Sequence, residues 1–260
     1  MVSPRVSSPL THPVCTALAR GLVLAAVMLL QACATVSNPD ARDPLESMNR
    51  SVFGFNEVVD RAVLKPVATV YRDATPQLVQ KGVRNFFNNL EDVWSAFNNA
   101  IQLRGQDTSD SIGRVMINST IGLLGVIDVA SDLNIDRHPA NFGLTLGRWG
   151  VKSGPYVVLP LLGPSTLRDT AALPIDFKGS LVGNVNDPGT RNALTALDVV
   201  RIRAGFLSAG EVVDEAALDK YSFMRDAYLQ RRLNQVYDGD PPQEEPAPED
   251  VPAEPAPKKP

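Results

Sequence analysis

Histidine and cysteine are scarce in this chain, two of each in 260 residues. Zinc centres draw on several such ligands, so no metal site is expected, and two cysteines allow one disulfide at most. Three catalytic signatures are also missing: a Gly-x-Ser-x-Gly nucleophile elbow, a paired-histidine zinc motif, and a glycine-rich phosphate loop ending in Lys-Ser or Lys-Thr. Serine chemistry needs a base. The histidine available beyond the leader is His138, in the turn-like Asp136-Arg137-His138-Pro139. Adjacent carboxylates such as Glu91-Asp92 read as solvated helix surface. An enzyme is therefore not expected, and no cofactor is implied. Long apolar runs are lacking too. A helix that crosses a bilayer needs about 20 apolar residues, and Gly21 to Leu30, Ile121 to Ile127 and Tyr156 to Leu162 are all shorter. A basic excess is missing as well: 25 basic residues stand against 29 acidic ones. No stripe offers to neutralise phosphates, which argues against nucleic acid as a partner.

What is present begins with Cys33. Arg5 and Arg20 precede the apolar run, no acid does, and Leu30-Gln31-Ala32-Cys33 follows it. That is the layout of a secretory signal, and a cysteine after a small residue resembles a lipoprotein cleavage site. Residues 1–32 are read as the signal peptide and Cys33 as the lipidated first residue of the mature chain. Ala34 stands where an inner-membrane retention signal would place Asp. Residues 33–42 form a short tether. Its nine residues after the cysteine extend at most about 30 Å, so the domain is held against the membrane. Residues 238–260 are acidic and proline-rich, with seven acids and two lysines, and are expected to be disordered. Setting aside tail and leader leaves 21 basic and 22 acidic residues, so the body is near neutral.

Residues 43–237 read as one mostly helical domain. Asp43-Pro44-Leu45-Glu46 predicts a helix start with a capping Asp. Thr75-Pro76 starts another helix. Along it Val79, Val83, Phe86, Leu90, Trp94, Phe97 and Ile101 recur at helical spacing, which predicts one apolar face. Ser208 and Glu211 form a capping box for a last helix, with Val212, Leu218, Met224, Tyr228 and Leu233 near its buried side. From Phe142 to Asp169 the chain is rich in Gly and Pro yet apolar. A regular helix cannot run through it. Two readings stand: an element that faces lipid or protein, or a buried crossing between helices.

Four blocks carry a resemblance. The first is DPLESMNRSVFGFN (Asp43 to Asn56), followed by KPVATVYRDATPQ and GVRNFFNNLED. INSTIGLLGVIDVASDL (Ile117 to Leu133), NFGLTLGRWGVKSGPYVVLPLLGPSTLRD (Asn141 to Asp169) and YSFMRDAYLQRR (Tyr221 to Arg232) complete it. Together they resemble the MlaA/VacJ family of outer-membrane lipoproteins, across nearly the whole domain. The resemblance implies an all-α fold: a single ring-shaped, donut-like helical domain embedded in the membrane around an amphipathic channel. It implies removal of mislocalised phospholipids from the outer leaflet of the outer membrane, handed to a periplasmic MlaC-like lipid-binding shuttle. A trimeric porin is the implied partner, and the implied location is the periplasmic side of the outer membrane, anchored at Cys33. A non-transporting scaffold that stabilises the envelope is the alternative. Carried over, Tyr156, Val157, Val158, Leu159 and Pro160 lie near the tip of a hairpin loop beside the channel. Arg168 and Asp169 face headgroups, or else form a helix start capped by Thr166. Phe53, Gly54, Phe55 and Asn56 belong to a gate region, or else pack the first helix.

Overall fold

The helix predicted from Thr75-Pro76 shows how this molecule is built. In the computed structural model, which describes residues 40–242, it runs over Gln77–Ile101. Cys33 and residues 243–260 lie outside the described residues. Along the helix the buried side chains are Asn85, Asn89, Asp92, Ser95, Asn98 and Asn99, with Gly82 and Phe87. Val79, Val83, Phe86, Leu90, Trp94, Phe97 and Ile101 are half-buried or exposed instead, Val79 and Phe97 by about half. The predicted apolar face is real, but it points outward.

The same inversion holds throughout. Among the described residues, nine apolar side chains are buried against nineteen polar or charged ones. A water-soluble domain buries the opposite mixture. Val70, Leu78, Met116, Ile121, Leu124 and Leu162 are each exposed by 60% or more. An apolar exterior of that extent marks a surface meant for lipid or a partner. No helix of the described residues is long and apolar enough to cross a membrane.

The elements follow in chain order. Helix α1 (Glu46–Val59) passes through a π-helical turn (Asp60–Leu64) into α2 (Lys65–Ala74). Helix α3 (Gln77–Ile101) turns back at Leu103, whose φ is +61°, into α4 (Gly105–Thr120). A single turn, α5 (Val129–Asp132), and the short α6 (Phe142–Arg148) lead to the hairpin β1 (Tyr156–Leu159) and β2 (Gly163–Thr166). The antiparallel strands pair Tyr156 with Thr166 and Leu159 with Gly163. Helices α7 (Leu167–Gly179), α8 (Pro188–Gly205), α9 (Leu207–Ala216) and α10 (Lys220–Val236) complete the fold. The described residues are mostly helical, with this one hairpin as their sheet.

Side-chain caps set many of the helix starts. Asn141 accepts from the Leu144 amide at 2.9 Å, Thr166 from Asp169 at 3.2 Å, Asp187 from Thr190 at 2.6 Å and Asp219 from Tyr221 at 3.1 Å. Two predicted starts differ. Asp43 does not cap α1. Its carboxylate is fully buried and accepts from Asn49 at 2.7 Å and from the Tyr221 hydroxyl. Ser208 lies inside α9, which has no side-chain cap. The last predicted helix is two helices, α9 and α10, and of the residues expected on its buried side Val212 in α9, Leu218 in the link between the two and Leu233 in α10 are exposed. At the other end, Asp238 is held by Arg104 at 2.6 Å and by Arg148.

Helices α3 and α4 pack polar face on polar face. Arg114 of α4, 3% exposed, donates to Asp92 at 3.3 Å, to both Asp128 oxygens at 2.9 and 3.1 Å, to Ser131 at 3.1 Å and to the Ile135 carbonyl at 2.6 Å. Arg137 donates to Asp92 at 2.6 Å and to Glu91 at 2.8 Å. Burial pushes the Asp128 carboxyl up, but hydrogen bonds from Ser131, Asn118 and Arg114 outweigh it and hold the group down to about 2. A lowered carboxyl contributes stability that is full above its unfolded value, near 3.8, and is lost as pH falls through the folded value. The protein is expected to melt at constant temperature between pH 7 and 5 and to lose stability from about pH 4 to 2. Asp128→Asn should flatten that acid limb, read as melting temperature against pH in detergent.

Candidate functional site

The apolar core is small and sits beside the hairpin. Tyr156, Val158 and Tyr221 are buried, with Val52, Phe53, Tyr228 and Leu229 packed around them. Phe53 meets Tyr221 edge to face at 5.6 Å, and Tyr156 meets Tyr221 and Tyr228 at 6.2 Å each. Helix α1 closes the free edge of β1 with two asparagines, seven residues apart and so on one face of the helix. Asn49, fully buried, donates to the Tyr156 carbonyl at 3.0 Å and accepts from the Val158 amide at 2.9 Å. Asn56 donates to the Leu159 carbonyl at 2.9 Å and accepts from the Leu161 amide at 2.8 Å. Two side chains thus do what a third strand would do, and fix the hairpin to the helix.

Next to this core lies a cleft of about 610 Å³, within the size range of ligand sites. Helices α3, α7, α8 and α10, the hairpin and the start of α6 surround it. Leu90, Trp94, Leu159, Leu162, Leu173 and Phe177 supply apolar wall; Glu91, Asp169, Asp176, Asp198, Arg231 and Arg232 supply charge. Asp176 braces two walls, accepting from Trp94 at 2.8 Å and from the Phe142 amide at 2.7 Å. A second cleft, about 700 Å³, is lined by Arg42, Lys152, Ser153, Arg168, Arg232 and the end of α10.

Asp169 is 7% exposed. It accepts from Arg232 Nε at 2.8 Å, Tyr228 at 3.0 Å and Arg168 at 3.1 Å, and forms an ion pair with Arg232 Nη2 at 2.8 Å. Burial pushes its carboxyl up, yet the hydrogen bonds and charge of Arg232 and Arg168 win and leave it lowered. Helix α6 makes room for this cluster. A Cβ on Gly143 would stand 2.6 Å from Asp169, and one on Gly147 would stand 2.6 Å from Arg168.

The sequence-predicted residues separate. Asp169 lines the first cleft and Arg168 the second, while Thr166 also caps their helix. The hairpin turn is Pro160 to Leu162, with Leu161 at φ +64°; Tyr156 is buried at the base, paired with Thr166. Leu159 reaches the first cleft, and Val157 lies mid-strand. Phe53 to Asn56 line neither cleft. Phe53 joins the core, Gly54 has open space, Phe55 is 52% exposed, and Asn56 grips the hairpin. His138 faces Asp110 at 3.2 Å and Asp107 at 3.8 Å. Sequence reasoning missed Arg231, Arg232 and Tyr228 as cleft residues. It also missed the Asn85-Asn89-Asp92-Ser95-Asn99 stripe, whose helical spacing was legible.

A profile described as MlaA lipoprotein matches residues 41–235. The chain belongs to the MlaA lipoprotein family. It is 34% identical over 215 residues to the intermembrane phospholipid transport system lipoprotein MlaA of Escherichia coli, covering 81% of this chain and 85% of that one. The MlaA of Haemophilus influenzae is 33% identical over 208 residues, 77% and 81% of the two chains. A solved structure, described under the maintenance of bacterial outer membrane lipid asymmetry, superposes with a TM-score of 0.67 at 32% identity. It covers 76% of this chain and 99% of its own.

Proposed function

We propose that this protein removes phospholipids misplaced in the outer leaflet of the outer membrane and passes them to a periplasmic lipid-binding shuttle of the MlaC kind. The observation that supports this most is the inversion of polarity: an apolar exterior around a buried polar interior with an amphipathic cleft. A headgroup that crosses hydrocarbon unpaired costs several kcal/mol. Polar side chains are tolerated at membrane depth where they face a wet hole. A polar hole in an apolar body gives the head a hydrated path while the acyl chains stay among Leu90, Leu159, Leu162 and Phe177.

Within that reading Arg168 and Asp169 meet headgroups, the hairpin Tyr156 to Pro160 borders the path, and Phe53 to Asn56 set its gate through the hold of Asn56 on the hairpin. Cys33 carries the anchor on the periplasmic side. One acyl chain binds only marginally and several bind firmly. A trimeric porin covers part of the apolar exterior. Transport needs no chemistry by this chain.

A strain that lacks the protein is expected to accumulate phospholipid accessible to an external phospholipase, and to lose detergent resistance. Full-length protein extracted from membranes should carry phospholipid, detected by mass spectrometry. An intact barrier together with lipid-free protein and crosslinks to porin alone would overturn the reading in favour of a scaffold. Cys33→Ala should first be lost from the outer-membrane fraction, with its melting curve unchanged.

A further inference from the structure

The two clefts share one wall, and that wall is an ion pair. Arg232 lines both; Asp169 faces the first and Arg168 the second. The charge on either side differs. The first cleft has four acids to two bases on its walls, the second four bases and no acid. Among those four, Arg42 is paired with Asp40 and Asp226, Arg168 and Arg232 are paired with Asp169, and Lys152 has no ion-pair partner among the described residues. Glu91 and Asp198 of the first cleft are paired in turn with Arg137 and Arg201, so the cation left to draw an anion across the wall is Lys152 on the second side.

We propose that the Asp169–Arg232 pair is the partition of the lipid path, with the Asp169 carboxylate standing in for the phosphodiester that replaces it in transit. The inference rests on the lipid-conduit reading and deepens it. Its chemistry is that of the guanidinium fork. Arg232 holds Asp169 through two nitrogens at 2.8 Å, and the fork fits carboxylate and phosphate alike. Asp169 also keeps Arg168 and Tyr228, at 3.1 and 3.0 Å. A phosphodiester entering from the first cleft exchanges with the carboxylate on Arg232. Asp169 then remains satisfied by Arg168 and Tyr228, so the wall opens with neither charge left bare. Gly143 leaves this exchange its space, since a Cβ there would stand 3.0 Å from Arg232 and 2.6 Å from Asp169.

The two sides of the pair then act with opposite sign. Full-length lipidated protein in detergent is titrated with a fluorescent phosphatidylglycerol, with a diacylglycerol of the same chains, and with inorganic phosphate. Asp169→Asn is expected to bind phosphatidylglycerol about tenfold tighter, and Arg232→Gln about tenfold weaker, the lower end of what one charge-assisted hydrogen bond contributes. Arg232→Lys should recover part of the loss. Diacylglycerol binding should move less than about twofold, since the pair does not read acyl chains. Shifts of the same sign in both variants, or equal shifts for the two lipids, would overturn the proposal. So would inorganic phosphate that raises the melting temperature of Asp169→Asn as much as the lipid does, which would mark a free-phosphate site. If Arg232→Gln melts early, Arg232→Lys is set against Asp169→Asn, and their opposite signs remain the test. If opposite shifts appear while a deletion strain keeps its lipid asymmetry, the site stands and the assigned physiological role falls.

Discussion

Arg114→Leu is expected to destabilise the fold by about 3–5 kcal/mol, the usual cost of stripping one partner from a buried ionic network. The side chain is 3% exposed and serves four acceptor groups: Asp92, Asp128, Ser131 and the Ile135 carbonyl. With it gone, Asp92, itself 2% exposed, retains Arg137 at 2.6 Å, and Asp128 retains Asn118 and Ser131. The loss matters more here than in a water-soluble bundle. Where the outer face of α3 and α4 meets lipid, apolar contact gives little preference for the packed state, and interhelical hydrogen bonds hold the pair. Asp128→Asn combined with Arg114→Leu should recover at least about 1 kcal/mol over Arg114→Leu alone, because Asp128, whose one salt bridge among the described residues is to Arg114, is then no longer left as an unpaired carboxylate. Melting of the extracted protein in detergent reads both. If Arg114→Leu melts with the wild type, the polar interface is not what joins these helices.

This interface also shows where the sequence was legible and where it was not. The helix from Thr75-Pro76 is present with its period intact, since periodicity depends on the backbone alone. The sign of the burial was invisible from Val79 to Ile101, because an apolar stripe has the same spacing whether it faces a core or a lipid. What could have broken the tie is the opposite stripe. Five polar residues from Asn85 to Asn99 at helical spacing, with no Lys or Arg among them, is a poor solvent face and a good buried one. Helix starts were less legible. Asp43 satisfies the capping pattern, but Asn49 and Tyr221, the latter 178 residues away, take its carboxylate instead. The cleft needed still longer range. Arg232 and Asp169, 63 positions apart, meet at 2.8 Å through the packing of α10 on α6 and the hairpin.

Asn56→Ala is expected to disturb lipid handling without removing the protein from the membrane, whereas Asn49→Ala removes the protein itself. The two side chains bind the same strand with the same atoms, but their settings differ. Asn49 is fully buried and also donates to the buried Asp43 carboxylate at 2.7 Å, so its loss leaves the Tyr156 carbonyl and the Val158 amide unsatisfied and takes one donor from Asp43, which keeps the Tyr221 hydroxyl. Each such group costs about 1–3 kcal/mol. Asn56 is half-buried, and the Leu161 amide and Leu159 carbonyl at the turn can turn to water, so its loss costs about 1 kcal/mol. What Asn56 does control is place. Leu159, just before the turn, and Leu162, its last residue, form part of the cleft wall. A turn released from α1 no longer holds that wall in register with Arg231 and Arg232. Outer-leaflet phospholipid in an Asn56→Ala strain should therefore rise toward the level of the deletion strain, by about fivefold for a coupling of about 1 kcal/mol. The amount of protein in the membrane fraction should match the wild type. Asn49→Ala should deplete that fraction, as a folding defect does. Equal depletion in both would reduce Phe53 to Asn56 to packing of the first helix; wild-type lipid with wild-type abundance in Asn56→Ala would leave the hairpin without a gating role.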